Sequence, residues 1–297
     1  MGFIDEINQR TNLQILVNQS MKQHTAYGVG GKAKFFSEAK TVHELNVASL
    51  LCEKYKIPCK IIGKGTNILF SDKGYDGLIL STKGIDEIFI KNNIIRATCG
   101  VSLKSLIDFS ADKGLSGLEM LIGIPASIGG AIYMNAGAFN HEISDCVTEV
   151  ESISKGKLVK RYKESCGFKY RKSIFNGNNE IIVSATFNLN EGKKESIREK
   201  IQSVISFRKT FQPIGRSLGC VFKNPEGVSA GQLIDGLNLK GYKIGGASIS
   251  VKHGNFIVTD STATATDVIE LIEYIKLKVK KEYNIKLQEE IEIIGEF

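Results

Sequence analysis

Three places in this chain carry side chains suited to acid–base or electrostatic chemistry. A thiol, Cys220, lies in Gly219-Cys-Val-Phe-Lys-Asn-Pro225, an arginine, Arg171, follows Tyr170, and a carboxylate pair, Glu289-Glu290, precedes the final apolar run. A thiol can give up a proton, a guanidinium stabilises a developing anion, and a carboxylate holds or relays a proton. Spacing does not join them. Read singly, Cys220 is a small buried hydrophobe, Arg171 a surface arginine and Glu289-Glu290 a solvated pair. Two glycine-rich stretches offer binding rather than catalysis. In Ile61-Ile-Gly63-Lys-Gly65-Thr-Asn67-Ile-Leu69 a short apolar strand runs into a turn. Its backbone N–H groups suit a phosphate, with Thr66 and Asn67 adding donors, and the same pattern also serves an ordinary turn. Gly123-Ile-Pro125-Ala-Ser127-Ile-Gly129-Gly-Ala131 continues into Met134-Asn-Ala136-Gly-Ala138. Small residues over such a length let a chain pack closely on a flat ligand or on another backbone. Two segments of this kind suit a dinucleotide better than a mononucleotide.

Other patterns fail their own tests. Gly28-Val-Gly30-Gly-Lys-Ala33 resembles a dinucleotide fingerprint, but Ala33-Lys-Phe-Phe36 reads as a strand where that motif needs a helix. Pro125-x-Ser127-x-Gly129 lacks the glycine that a nucleophile elbow places before its serine. The six cysteines form no CxxC pair and the four histidines are scattered, so no metal site is expected and the thiols should be free, as in a reducing cytosol.

The elements that must position these residues alternate without strict order. Helical patterns cover 41–55, opened by the capping box Thr41-x-x-Glu44, then 102–113 with Gly114 beyond its end, 195–208, 230–237 and 267–283. Strand patterns cover 59–62, 77–81, 87–91 paired with 94–98 through Asn92-Asn93, 147–152 paired with 157–162, 181–189, 256–259 and 291–294. Frequent hairpins without regular alternation argue an α+β fold. A boundary is expected near 208–216, at Pro213-Ile-Gly215. The 297 residues carry 42% hydrophobic and 24% charged side chains, which excludes disorder and coiled coil for the whole chain. The net charge of +7 suits an anionic substrate, and the run from Lys276 to Lys281 reads as the cationic end of a helix rather than a nucleic-acid patch. No apolar run approaches the roughly 20 residues of a membrane helix, and the polar N-terminal stretch carries no signal peptide, so a cytoplasmic location is expected.

Together these segments resemble the UDP-N-acetylenolpyruvoylglucosamine reductases, from about His24 onward. The resemblance rests on Gly63-Lys-Gly-Thr-Asn-Ile-Leu-Phe-Ser-Asp72, on Gly117-Leu-Glu-Met-Leu-Ile-Gly-Ile-Pro-Ala-Ser-Ile-Gly-Gly-Ala131 with Met134-Asn-Ala-Gly-Ala138, and on Gly219-Cys-Val-Phe-Lys-Asn-Pro225. Tyr170-Arg-Lys-Ser-Ile-Phe175 and Leu287-Gln-Glu-Glu-Ile291 follow in family order. It implies an FAD-binding fold of the vanillyl-alcohol-oxidase type in two subdomains, 1–77 and 78–207, followed by an α+β substrate domain, 208–297. The stretch from Phe187 to Arg208 is too short for the tyrosine loop of one family branch.

The implied activity has two halves, reduction of FAD by NADPH and then reduction of the enolpyruvyl group of a UDP-sugar to give UDP-N-acetylmuramate for peptidoglycan. By resemblance the cofactor residues are Gly63, Lys64, Gly65, Thr66, Asn67, Ile68, Leu69, Gly100, Ile124, Pro125, Ser127, Gly129, Gly130, Asn135, Ala136, Gly137 and Ile182. Arg171 and Glu290 polarise the substrate, Cys220 donates the proton where the family often has serine, and Tyr170, Lys223, Asn224, Lys240 and His253 contact substrate. Nucleic acid and membrane are not expected partners. Phe211 stands where the family usually carries lysine, and Lys32, Ala126, Arg216 and Thr259 also depart from the usual residues. These departures keep a flavin-binding paralogue without turnover in view, and the shared superfold keeps another flavin oxidoreductase as a second alternative.

Overall fold

The computed structural model describes residues 2–297. The chain divides into two compact units. The first takes the residues up to Leu16, Phe35–Lys64 and Gly77–Phe207, and the second takes Val17–Lys34, Gly65–Asp76 and Arg208–Phe297.

The first unit is built on a five-stranded antiparallel sheet in the spatial order Lys157–Tyr162, Val147–Ser154, Ile181–Asn188, Ile94–Thr98, Ile88–Lys91. The turn before Ile94 is made by Asn92-Asn93, and Asn92 adopts φ 57°, which asparagine tolerates in a tight hairpin. Helices Leu103–Asp112, Ile128–Tyr133 and Lys194–Phe211 supply Leu103, Leu106, Ile107, Ile128, Ile132, Ile197 and Ile201 to a core shared with Ile95, Val150, Ala185 and Phe187 of the sheet. Ser102 caps the first of these helices and Gly114, at φ 70°, ends it.

A second core in the same unit gathers Leu45, Ala48, Leu51 and Cys52 of helix Val42–Lys54 with Leu78, Leu80, Phe3 and Ile7. Thr41 and Glu44 form the expected capping box of that helix. Helix Phe3–Arg10 is not evident in the sequence pattern, because five of its eight residues are polar. Tertiary contacts hold it. Phe3 packs on Phe35 and Tyr55 with centroids 5.6 and 5.9 Å away, and the buried Glu6 carboxylate accepts from Lys54 Nζ at 2.6 Å and Tyr55 Oη at 2.8 Å.

The second unit is smaller. A three-stranded antiparallel sheet, Lys243–Ile244, Ala247–Ile249 and Ile257–Thr259, packs with helices Ala230–Gly236 and Ala265–Tyr283. The stripe Val268, Leu271, Ile272, Ile275 and Val279 of the long helix is wholly buried, as its 3.6-residue period requires. Its N-terminus is capped twice, by Thr264 with Asp267 and by Asp72, whose carboxylate accepts from Ala265 N at 3.1 Å and Thr266 N at 2.8 Å. Strand Ile68–Phe70 pairs in parallel with Glu292–Ile294. Among the described residues no helix is long and apolar enough to cross a membrane.

Candidate active site

The segment 63–67 is a bend, and among the described residues the backbone N–H groups of 64–67 donate no hydrogen bond within the protein. Its glycines are required by close approach. In the first unit a Cβ on Gly63 would fall on Ser127 Oγ, and in the second a Cβ on Gly65, at φ 67°, would fall on the His24 carbonyl oxygen. Gly65 O accepts from Ala26 N at 3.0 Å, Asn67 Nδ2 donates to Glu290 O at 3.1 Å, and Leu69 is fully buried. Undonated N–H groups beside glycines that have no room for a Cβ are a donor set that fits phosphate oxygens, as a dinucleotide would present them.

The second glycine-rich segment packs on 99–101. Ile128 N donates to Val101 O and Gly129 N to Cys99 O, both at 2.8 Å, and a Cβ on Gly129 would stand 3.1 Å from that of Cys99. Ser127, nearly fully buried, caps helix Ile128–Tyr133 by accepting from Gly130 N. Gly100 is equally confined, since a Cβ there would fall on Thr82 O. Ile124 packs against the larger core and Pro125 is exposed. Close backbone packing is thus one physical reason for the small residues here.

Ala136 and Ile182 belong to the larger core of the first unit, at 9% and 7% exposure, which leaves each an edge to offer a ligand. Arg171 sits with Tyr170 at the tip of a two-residue turn closed by mutual hydrogen bonds between Lys169 and Lys172. It takes φ 52°, its Nη2 donates to Gly137 O at 2.7 Å, and its guanidinium lies 4.9 Å from the Tyr170 ring centroid. Asn135 is fully buried and tied to Glu142 and to Lys169 O.

In the second unit the chain around Cys220 lies between two others. Cys220 bridges to Phe256, Val221 N donates to Asn255 O at 2.9 Å, and on the other side Glu290 N donates to Val221 O at 2.7 Å and Lys223 N to Gln288 O at 2.9 Å. Cys220 and Glu290 therefore belong to one ladder, although 70 residues separate them in the chain. Glu289 goes elsewhere, accepting from Lys276 Nζ at 2.8 Å. Asn224 Oδ1 accepts from Ala230 N at 3.0 Å, at the start of helix Ala230–Gly236.

Lys240 and His253 come together around Asp235. Lys240 Nζ lies 2.7 Å from Asp235 Oδ2, and both charges act on the His253 ring. Burial is the largest influence on that ring and pushes its pKa down, opposed by Asp235. Its Nδ1 accepts from Asn255 N at 3.2 Å, so the neutral ring carries its proton on Nε2. A depressed histidine pKa means that the unfolded chain binds the proton more readily. Its contribution to stability is full above the unfolded value, about 6.5, and is lost as pH falls toward the folded one. The unfolding midpoint should drop on acidification below about pH 6.5, and His253→Gln should flatten that limb. Differential scanning calorimetry across pH 5 to 8, with an equal slope in both proteins as the contrary result, checks this.

Two residues near these groups, Glu142 and Asp235, have no sequence signal of a role, and a third, Arg208, is marked only by the family pattern in Arg208-Lys-Thr-Phe211-Gln-Pro213. Arg208 Nη1 donates to Gln212 Oε1 at 3.2 Å, its guanidinium acts electrostatically on Cys220, and burial lowers its pKa. A lone charged residue on a helix or turn reads as a solvated one, whatever it meets once the chain is folded.

A family model described as an FAD binding domain matches residues 33–160, and one described as the C-terminal domain of UDP-N-acetylenolpyruvoylglucosamine reductase matches 211–294. The UDP-N-acetylenolpyruvoylglucosamine reductase of Carboxydothermus hydrogenoformans is 40% identical over 295 residues, 98% of either chain. The crystal structure of the Thermus caldophilus enzyme of the same name superposes with a TM-score of 0.83 at 36% identity, covering 96% of this chain and 99% of that one. A Phl p 4 glucose dehydrogenase, 10% identical, superposes with a TM-score of 0.52 over 65% of this chain and 44% of its own, and so shares the fold alone. The fold is thus α+β with an FAD-binding part of the vanillyl-alcohol-oxidase type, as expected. With the glycine bend, the Arg171 turn and the Cys220–Glu290 ladder all present, and with identity of this order over nearly all of both chains, the chain belongs to the UDP-N-acetylenolpyruvoylglucosamine reductase family of FAD-dependent oxidoreductases.

Proposed function

We propose that this chain reduces the enolpyruvyl group of UDP-N-acetylglucosamine enolpyruvate to UDP-N-acetylmuramate, with NADPH as reductant, in the cytoplasmic synthesis of peptidoglycan precursors. The observation that carries the reading is the ladder that holds a proton donor, Cys220, and a carboxylate, Glu290, on adjoining segments. Bound FAD supplies the two-electron transfer from NADPH to the enolpyruvyl double bond. The residues we assign to it are 63–69, Gly100, Ile124, Pro125, Ser127, Gly129, Gly130, Asn135, Ala136, Gly137 and Ile182, in a cofactor part spanning 1–77 and 78–207.

The protein's own work is to handle charge and a proton. Reduction at one carbon of the double bond leaves negative charge delocalised toward the substrate carboxylate. Arg171 and Glu290 polarise the substrate for that change, an electrostatic role aimed at charge that develops. Cys220 then gives its proton to the α-carbon. A thiol, with a reference pKa of about 8.5, is stored protonated at neutral pH and is far more acidic than an alkyl hydroxyl. The Arg208 guanidinium stabilises the thiolate that donation leaves behind. Lys223, Asn224, Lys240 and His253 in 208–297, together with Tyr170, are assigned to the UDP-sugar.

The test is an anaerobic visible-absorbance trace of the purified, FAD-loaded protein. NADPH should bleach the flavin band, and the enolpyruvyl UDP-sugar should restore it. A protein that stays colourless after FAD is supplied overturns the reading, and bleaching without recovery points to a different substrate or to a paralogue without turnover.

A further inference from the structure

Asn135 has no exposed surface and a left-handed backbone, φ 44°, and its side chain is committed inside the protein. Nδ2 donates to Glu142 Oε2 at 2.6 Å and to Lys169 O at 3.1 Å, while Oδ1 accepts from Ser144 N at 3.3 Å. Glu142 and Lys169 belong to two different turns. Glu142 lies opposite Gly137 in the small hairpin 137–142. Lys169 closes the turn that carries Arg171 at its tip. The two turns meet again where Arg171 Nη2 donates to Gly137 O at 2.7 Å. A Cβ on Gly137 would stand 3.0 Å from Glu142 Cγ and 3.1 Å from Arg171 Nη1, so the three are in close packing.

We propose that Asn135 and Glu142 form a clamp that positions Arg171 for the reaction, a role that rests on Arg171 acting on the substrate as read above. The physical need is plain. An arginine at the tip of a two-residue turn has four side-chain torsions to restrain. A hydrogen bond to a carbonyl restrains them only if that carbonyl is itself held. The Glu142 carboxylate makes the Asn135 contact charge-assisted, and its short length marks it as the stronger arm. Asn135 thereby fixes the base of the Arg171 turn and the hairpin bearing Gly137 O at the same time. Glu142 and the side chain of Asn135 are positioning groups, the latter spent wholly on partners within the protein. They act through Arg171.

The test uses the FAD-loaded enzyme, Glu142→Ala, Glu142→Gln and Arg171→Ala, and both half-reactions in anaerobic stopped flow. A guanidinium misplaced by about 1 Å costs about 10²-fold, so Glu142→Ala should slow reoxidation by substrate on that order. Bleaching by NADPH and flavin content should not follow it down, and the unfolding midpoint should fall by only about a few degrees, the cost of one buried hydrogen bond. Glu142→Gln keeps an acceptor oxygen for Asn135 and should restore reoxidation. In an Arg171→Ala background, Glu142→Ala should add nothing, since the group it positions is gone. The clamp is overturned if the Glu142→Ala loss multiplies with that of Arg171→Ala, if both half-reactions slow equally, or if Gln is as poor as Ala. Wild-type reoxidation in Arg171→Ala alone would instead overturn the role of Arg171 itself, and the clamp with it.

Discussion

Cys220→Ala is expected to bleach with NADPH as the parent protein does and then to stay bleached when the enolpyruvyl substrate is added. Loss of a positioned general acid costs about 10²–10⁴-fold, and here it falls on one half-reaction only. The fold should survive. The segment carrying Cys220 is held by main-chain bonds, Val221 N to Asn255 O and Glu290 N to Val221 O, which the substitution leaves in place. The unfolding midpoint should therefore stay close to that of the parent. Cys220→Ser keeps a donor and should keep turnover, while losing the parent's sensitivity to thiol alkylation. Single-turnover absorbance traces at the flavin band separate the halves. Survival of both in Cys220→Ala would make Cys220 a packing residue.

Gly65→Ala is expected to lose both stability and cofactor. The left-handed backbone alone costs a non-glycine residue about 1–2 kcal/mol. The new Cβ would also fall on the His24 carbonyl oxygen, a main-chain atom that cannot rotate aside. The bend cannot swing away cheaply, because Gly65 O is held by Ala26 N at 3.0 Å. A total on the order of 3 kcal/mol lowers the midpoint by about 6–12 °C. Gly227→Ala is the control, since Gly227 has φ 74° but nothing within 4 Å of its Cβ position. Calorimetry and the flavin-to-protein absorbance ratio report the two effects. Equal midpoints for Gly65→Ala and Gly227→Ala, with full flavin in both, would show that the close approach at Gly65 is dispensable.

Much of the fold is legible in short stretches of sequence. Thr41 and Glu44 announce a helix start because the capping box closes over three residues, and the Val268-to-Val279 stripe announces a buried face because its period is local. Asn92-Asn93 announces a hairpin for the same reason. Where stability comes from distant partners the pattern is silent. Helix Phe3–Arg10 depends on Lys54 and Tyr55, and helix Ile128–Tyr133 lies in a glycine-rich run that reads as an irregular segment. The pattern also ends the helix that begins at Lys194 near Arg208, whereas it continues to Phe211, a boundary that helix propensity does not mark sharply.

Family, α+β class and the candidate reactive groups can all be read from the residues in order along the chain. Those are written in the residue types and in motifs a few positions long: the Gly63–Gly65 pair, the small-residue run to Gly137 and the Cys220 heptapeptide. Packing sets which groups share an environment. It put Glu290 beside the Cys220 segment and sent its neighbour Glu289 to Lys276. It set Asp235 between Lys240 and His253, and made Asn135 a strut between the Glu142 and Lys169 turns. The reason is physical. A cap or an amphipathic stripe is satisfied by neighbours along the chain, whereas a buried charge or amide finds its partner only when distant segments are packed together.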